Sequence, residues 1–463
     1  PTYPTHPGDG ALPAAGPDVK RAIFRLAWPV FAENVLHTFT QVAGMMMVGH
    51  LGAAAITAVG LSLHPLWLVM GFFMGLGAGT TALVARFTGA GQPRDANRAA
   101  HQSFLLGTAL AVGFGLVIMP LARPIMVLMG AEPEVADLGA LYLRYLVPGM
   151  VLMMVFFVLS AALRGAGDTR TPMWINVVIN ALNVLLCFVL IFGHLGLPAL
   201  GVVGAGLAAT IARSAGTFIL LAIMFTGRTP VSFHRSSFDP GWGFFRPDLA
   251  VMGRVLRVGV PAALERLVNS VGMLLYTRVV ASLGTVAFAA HSLALNVESL
   301  SYMPGIAFSV AATTLVGQNL GAGRPDLAER SALECNRLGM WVMGTMGAVF
   351  FLFPGFLLRL YTPDAAVIAL GVVALRVVAF MQVPEAIGFV MSGALRGAGD
   401  TRSVLVITAV GVWAVRLVTS LVFVLVLDLG LFGAWLAMAL DWVVRSVYLV
   451  ARFRRGAWKE VEV

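Results

Sequence analysis

Four carboxylates, Glu33, Glu265, Glu298 and Glu385, stand inside long apolar stretches of this chain. An ionisable side chain placed in hydrocarbon costs about 2.5–3.5 kcal/mol even on the lenient insertion scale, so each calls for a partner or a task. Glu33 lies two helical turns past Arg25, and Glu265 two turns past Arg257. At the helical rise both sit about 12 Å below the rim of the membrane. His37 and Gln41 follow Glu33 at the i+4 and i+8 positions, on one helix face, and Asn269 follows Glu265 one turn on. Asn176, Asn180 and Asn183 form another polar face at i, i+4, i+7. Glu385 precedes Arg396 by eleven residues, about 16 Å of helix. Pro384 beside it frees carbonyls that can line a cavity. Glu298 is placed comparably, midway along its helix. The chemistry these residues suit is reversible capture of a small cation. A carboxylate withdrawn from water needs a counter-charge. A proton supplies one, and so does Na⁺ held by carboxylate and amide oxygens. Na⁺ at this coupling site is the one metal considered; no structural metal and no cofactor is implied.

These residues must be held by membrane-spanning helices. The chain has 463 residues, 59% hydrophobic and 11% charged, with a mean hydropathy of +0.88. A soluble domain carries about 25% charged residues. Apolar runs long enough to cross about 30 Å of hydrocarbon recur throughout. They predict helices over 24–48, 55–85, 99–120, 136–163, 171–193, 201–226, 253–283, 286–317, 331–353, 366–395, 402–427 and 431–453. The first twenty residues, rich in Pro and Gly, read as disordered, 227–250 as a polar connector, and 456–463 as a tail. The two cysteines form no disulfide framework. No cleavable signal peptide is seen.

The net charge of +9 is nearly all arginine. It is scattered through short loops, with no basic domain to hold nucleic acid. Alternate loops carry it: Arg86, Arg94 and Arg98; Arg164 and Arg170; Arg228, Arg235 and Arg246; Arg324 and Arg330; Arg396 and Arg402. The intervening loops are neutral or acidic. By the positive-inside rule both termini and the 227–250 connector are cytoplasmic, in a multi-pass protein of the plasma (inner) membrane.

The sequence ALRGAGDTR occurs twice, at Ala162–Arg170 and at Ala394–Arg402, 232 residues apart. At the same offset GAGQP (Gly89–Pro93) meets GAGRP (Gly321–Pro325), Pro29 meets Pro261, and Glu33 meets Glu265. The chain is a duplicated half. Six crossings return it to its starting side, so the halves are parallel repeats. The expected fold is an all-α polytopic membrane protein. Its twelve transmembrane helices form two parallel six-helix lobes, residues 21–226 and 251–455, related by a pseudo-two-fold axis along the membrane normal. A cleft between such lobes, opened alternately to each side, is a transporter design.

At these residues the chain resembles the multidrug and toxic compound extrusion (MATE) family of the MOP superfamily. The likeness spans essentially everything after residue 20. It rests on the two LRGAGDTR elements, MVGHLG at Met47–Gly52, LGTVAFAAH at Leu283–His291, and ESLSYMP at Glu298–Pro304 running on to TTLVGQNLGAG. It implies a two-lobed exporter, not an enzyme, that expels cationic or amphipathic organic compounds in exchange for H⁺ or Na⁺. A monomer in the lipid bilayer is expected. A lipid-linked precursor flippase of the same superfamily is the alternative; it would show a more cationic central cavity. Three departures stand out. Gly44 and Cys187 occupy positions where many members carry Asp, and Asn269 stands where a seventh-helix Glu is usual. The candidate coupling and substrate residues are therefore Glu33, His37, Gln41, Asn176, Asn180, Asn183, Glu265, Asn269, Glu298 and Glu385. In the signature loops Arg164, Asp168, Arg170, Arg396, Asp400 and Arg402 read as anchors that pair between loops. Asp441 and Arg445 read as an intrahelical ion pair, Arg416 as a partner for Asp441 or Glu385, and His291 as a bond to a neighbouring helix.

Overall fold

The computed structural model describes residues 17–194, 196–234 and 246–461. It is built of twelve long helices: α1 (Pro17–Gly49), α2 (Ala53–Gly89), α3 (Pro93–Leu128), α4 (Pro133–Gly165), α5 (Arg170–Phe192), α6 (Gly201–Phe225), α7 (Leu249–Ala281), α8 (Thr285–Gly321), α9 (Pro325–Leu352), α10 (Ala365–Gly397), α11 (Thr401–Val426) and α12 (Gly430–Arg454). Among the described residues ten helices are long and apolar enough to cross a membrane. Every predicted helix is present, most extended by several residues. Helix α1 takes in residues 17–20, which were expected to be disordered; residues 1–16 of that segment lie outside the described residues, as does 235–245 of the connector. The tail is not loose either. Ala457–Glu460 forms a 3₁₀ turn whose Trp458 is fully buried and stacked on Phe453.

Local chemistry starts and stops these helices. Pro93, Pro133 and Pro325 each open a helix, where a missing N–H costs nothing. Asp248 and Asp364 cap α7 and α10 by accepting from the amides two and three residues on. The repeat is visible in the backbone itself. Gly167 and Gly399, in the two copies of ALRGAGDTR, both take φ of +90°. That left-handed conformation is one that glycine adopts without steric cost.

Helices α1–α6 form one lobe and α7–α12 the other. One hydrophobic core fills the first lobe. The second has two, and the early part of α1 (Val19 to Val30) packs into one of them against α8. The lobes meet along α2, α7 and α8. Gly75 and Gly79 of α2 lie so close to the α7 main chain at Ala263 and Val255 that neither could carry a side chain. Nearer the signature loops, Gly89 lies on the backbone of Gln318, and its repeat partner Gly321 on the backbone of Arg86. Toward the opposite end, Gly44, Gly49 and Gly60 face open space. Close glycine approaches between the lobes thus run from Gly75 and Gly79 to Gly89 and Gly321, beside the signature loops.

Candidate functional site

The ion pairs inside each lobe are built by its own repeat. In the first lobe Arg164 Nη2 donates to both carboxylate oxygens of Glu33, each at 2.9 Å. Asn176 Nδ2 donates to Glu33 Oε1 at 2.7 Å. In the second lobe Arg396 donates to Glu265 Oε1 at 2.7 Å and to Oε2 at 2.9 and 3.2 Å. Thr408, which occupies the repeat position of Asn176, donates to Glu265 Oε1 at 3.4 Å. Both pairs are largely screened from solvent. A carboxylate held by a guanidinium already has its counter-charge. Glu33 and Glu265 thus bond across helices within their lobes. One expectation is corrected: Arg164 and Arg396 reach down into their lobes rather than pairing between loops.

The main chain of the same motifs seals the seam between lobes. Thr314 of α8 donates to the Arg164 carbonyl at 2.9 Å, and Gln318 to the Gly165 carbonyl at 2.9 Å. In return Arg86 of α2 donates to the carbonyls of Ala398 at 3.1 Å and Val461 at 2.8 Å. Asp168 accepts from the amides of Arg170 and Thr171, and Asp400 pairs with Arg452 at 2.8 Å.

Deeper in the second lobe lies a charged network. Asp441 is fully buried and shared by two arginines: Arg416 at 2.8 Å, and Arg445, one turn along α12. Arg445 lies over the Trp442 ring and Arg416 over the Tyr276 ring. Residues 410–417 of α11 wind as a wide π-helical segment that carries Arg416 into the bundle. Such segments recur at functional sites. Gly411 leaves room for the network, since a Cβ there would collide with the Asp441 carboxylate. Beside it, Glu298 of α8 and Glu385 of α10 are 5% and 3% exposed. They lie within each other's electrostatic reach and that of Arg416. Neither forms an ion pair within 4 Å among the described residues. Gln382 donates to Glu385 at 3.1 Å. The arrangement offers two carboxyl groups near guanidinium groups already committed to Asp441, which suits it to hold one small cation.

The first lobe differs. Arg213, midway along α6, points into the bundle, where its Nη1 donates to the Met150 sulfur of α4 at 2.8 Å. Tyr142 and Cys187 lie within its electrostatic reach, as does His37 on α1. Asn180 turns its amide back to the Asn176 carbonyl at 2.7 Å, and Asn183 Oδ1 accepts from the Cys187 thiol at 4.0 Å.

The MatE family model matches residues 29–189 and 261–422 of this chain, one match in each lobe. The chain belongs to the MATE family. Among its relatives, the probable multidrug resistance protein NorM of Thermotoga maritima is 34% identical over 454 residues, covering 96% of this chain and 94% of that protein. A second protein of that name, from Rhizobium meliloti, is 28% identical over 443 residues, covering 94% and 93%. A solved structure described as the outward-facing conformation of a multidrug resistance MATE family transporter superposes with a TM-score of 0.86. It is 26% identical and covers 96% of this chain and 97% of the other.

Within this MATE fold the ten predicted residues fall into separate groups. Glu33 and Asn176 meet, as expected of the polar pocket, but around Arg164. Glu298 and Glu385 come together across α8 and α10. Gln41 is exposed and Asn269 half-buried. Arg416 does take Asp441, as one of its two expected partners. His291 makes no bond to a neighbouring helix; both ring nitrogens are buried without a partner, and the ring packs against Tyr276 and Trp435. Sequence reasoning passed over Arg213 and Thr408. An arginine in the middle of an otherwise apolar helix was the available signal for the first. The 232-residue register, applied to Asn176, was the signal for the second.

Proposed function

We propose that this chain is a cation-coupled antiporter that exports amphipathic or cationic organic compounds, in exchange for H⁺ or Na⁺, by alternating access between its two lobes. The relatives named as multidrug resistance proteins support the class of cargo. The observation that carries the coupling is the Glu298–Glu385 pair, buried together beside arginines that Asp441 already engages. A proton or Na⁺ bound there supplies the missing positive charge. A cationic compound competing for the same carboxylates couples its own exit to entry of the ion. Glu33 and Glu265, each held by an arginine, keep the lobes rigid instead. His37, Gln41, Asn180, Asn183 and Asn269 are proposed as contacts to the cargo. The seam along α2, α7 and α8 supports an arrangement closed on the signature-loop side, which the arginine distribution assigns to the cytoplasm. The protein works as a monomer in the plasma membrane with both termini cytoplasmic.

The test is efflux of a fluorescent organic cation from proteoliposomes under separate proton and sodium gradients. Glu385→Gln and Glu298→Gln should abolish the response to the driving gradient while substrate binding persists. Gradient-driven efflux at the wild-type rate in both variants would refute the assignment.

A further inference from the structure

A cavity of about 420 Å³ opens at the signature-loop end of the second lobe. Arg257 and Val258 of α7 line it, with Gly399 and Asp400 of the α10–α11 turn, Arg402 in the first turn of α11, and Val461 of the tail. Pockets that take small ligands run from about 300 to 1,000 Å³. The charges around this one are not balanced from within. Asp400 is already engaged: it pairs with Arg452 at 2.8 Å and accepts from the Ser403 amide at 3.4 Å. Arg257 and Arg402 are exposed. Among the described residues neither forms an ion pair within 4 Å, whereas Arg396 and Arg452 each hold an acid. A guanidinium carries five N–H donors. The walls of the cavity are firmly held. Arg86 of α2 donates to the carbonyls of Ala398, next to Gly399, and of Val461 itself. The buried Trp458 and the Lys459–Glu329 pair pin the tail that brings Val461 there.

We infer that this cavity binds a phosphate group, held between Arg257 and Arg402. Two guanidinium groups on separate elements suit a tetrahedral anion, which turns oxygens toward both; a planar carboxylate is met by a single fork. The arginine distribution assigns this end of the bundle to the cytoplasm, and Arg257 marks the rim of the membrane there. Phosphate reaches such a place from two sources, the headgroup of an anionic phospholipid and a soluble phosphate ester. Either one bridges α7 to the start of α11. It does so next to the carbonyls through which Arg86 ties the first lobe to the second. The binding does not depend on the export reading.

The test uses the purified full chain in phosphate-free detergent. The probes are inorganic phosphate, dihexanoylphosphatidylglycerol and chloride at equal ionic strength, read by isothermal titration and by the unfolding temperature. Phosphate or the short-chain lipid should bind at least about tenfold more tightly than chloride. Tighter binding of the lipid assigns the site to a headgroup; tighter binding of phosphate assigns it to a soluble ester. Arg257→Gln and Arg402→Gln should each weaken that binding about tenfold or more. Arg402→Lys should retain part of it, and Arg454→Gln, outside the cavity, should leave it unchanged. Absence of any preference over chloride overturns the proposal. So does wild-type affinity in either Gln variant. An equal loss in Arg454→Gln also overturns it, reducing the effect to general surface charge. Unfolding temperatures without ligand show whether each variant folds; if one Gln variant does not, the other and Arg402→Lys decide.

Discussion

Replacing Glu265 with Gln tests whether the repeated ion pairs hold each lobe together or exchange the coupling ion. The pair is nearly enclosed, with side-chain exposures of 9% for Glu265 and 15% for Arg396. Three hydrogen bonds of 2.7–3.2 Å join them. Removing the acid leaves the guanidinium in the bundle with its charge uncompensated. Breaking a buried pair in this way costs about 3–5 kcal/mol. The amide of Gln keeps one acceptor for Arg396, which places the expected loss near the lower end, about 3 kcal/mol. For a lobe of this size that is a fall of roughly 5–10 °C in the unfolding midpoint. The double variant Glu265→Gln with Arg396→Gln removes the stranded charge and should recover much of the loss. The four proteins thus form a cycle with a coupling energy of about 2 kcal/mol or more. Thermal unfolding in detergent gives the energies, and gradient-driven efflux per folded molecule gives the function. Lowered stability with coupling retained is the expected result. Unchanged stability with coupling abolished would refute the structural role and return Glu265 to the ion pathway.

Other perturbations probe the seam and the network. Gly79→Val should force α2 off the Val255 carbonyl of α7, and a cysteine placed at Gln318 should then react faster with a membrane-impermeant maleimide from the signature-loop side. Gly411→Ala should push against Asp441 and cost about 1–3 kcal/mol in thermal unfolding. Trp458→Ala should cost about 3–5 kcal/mol by emptying its buried site against Phe453. Burial alone would raise the Asp248 carboxyl, but hydrogen bonds from Val251 and Ala250 and its pair with Arg98 hold it below the usual 3.8. A depressed value in the folded state contributes stability above that pH and loses it as pH falls. Asp248→Asn should therefore flatten the acid side of the stability–pH profile while lowering stability near neutrality.

The sequence by itself determined the twelve helices, because spanning hydrocarbon demands long apolar runs whose backbone bonds are satisfied locally. It also determined the two lobes, because one register of 232 residues links Glu33 to Glu265 and each ALRGAGDTR to the other. Such features are local or repeat along the chain, so they can be read in one dimension. Which buried charge meets which was decided only by tertiary structure. Glu33 and Arg164 are 131 residues apart, as are Glu265 and Arg396, and helical periodicity has no reach over that distance. Depth alone made Glu33, Glu265, Glu298 and Glu385 look equivalent. Folding set the first two under arginines and drew the other two together. It also left Arg213 on the Met150 sulfur, without an acid among the described residues, since pairing depends on which helices pack side by side and at what height.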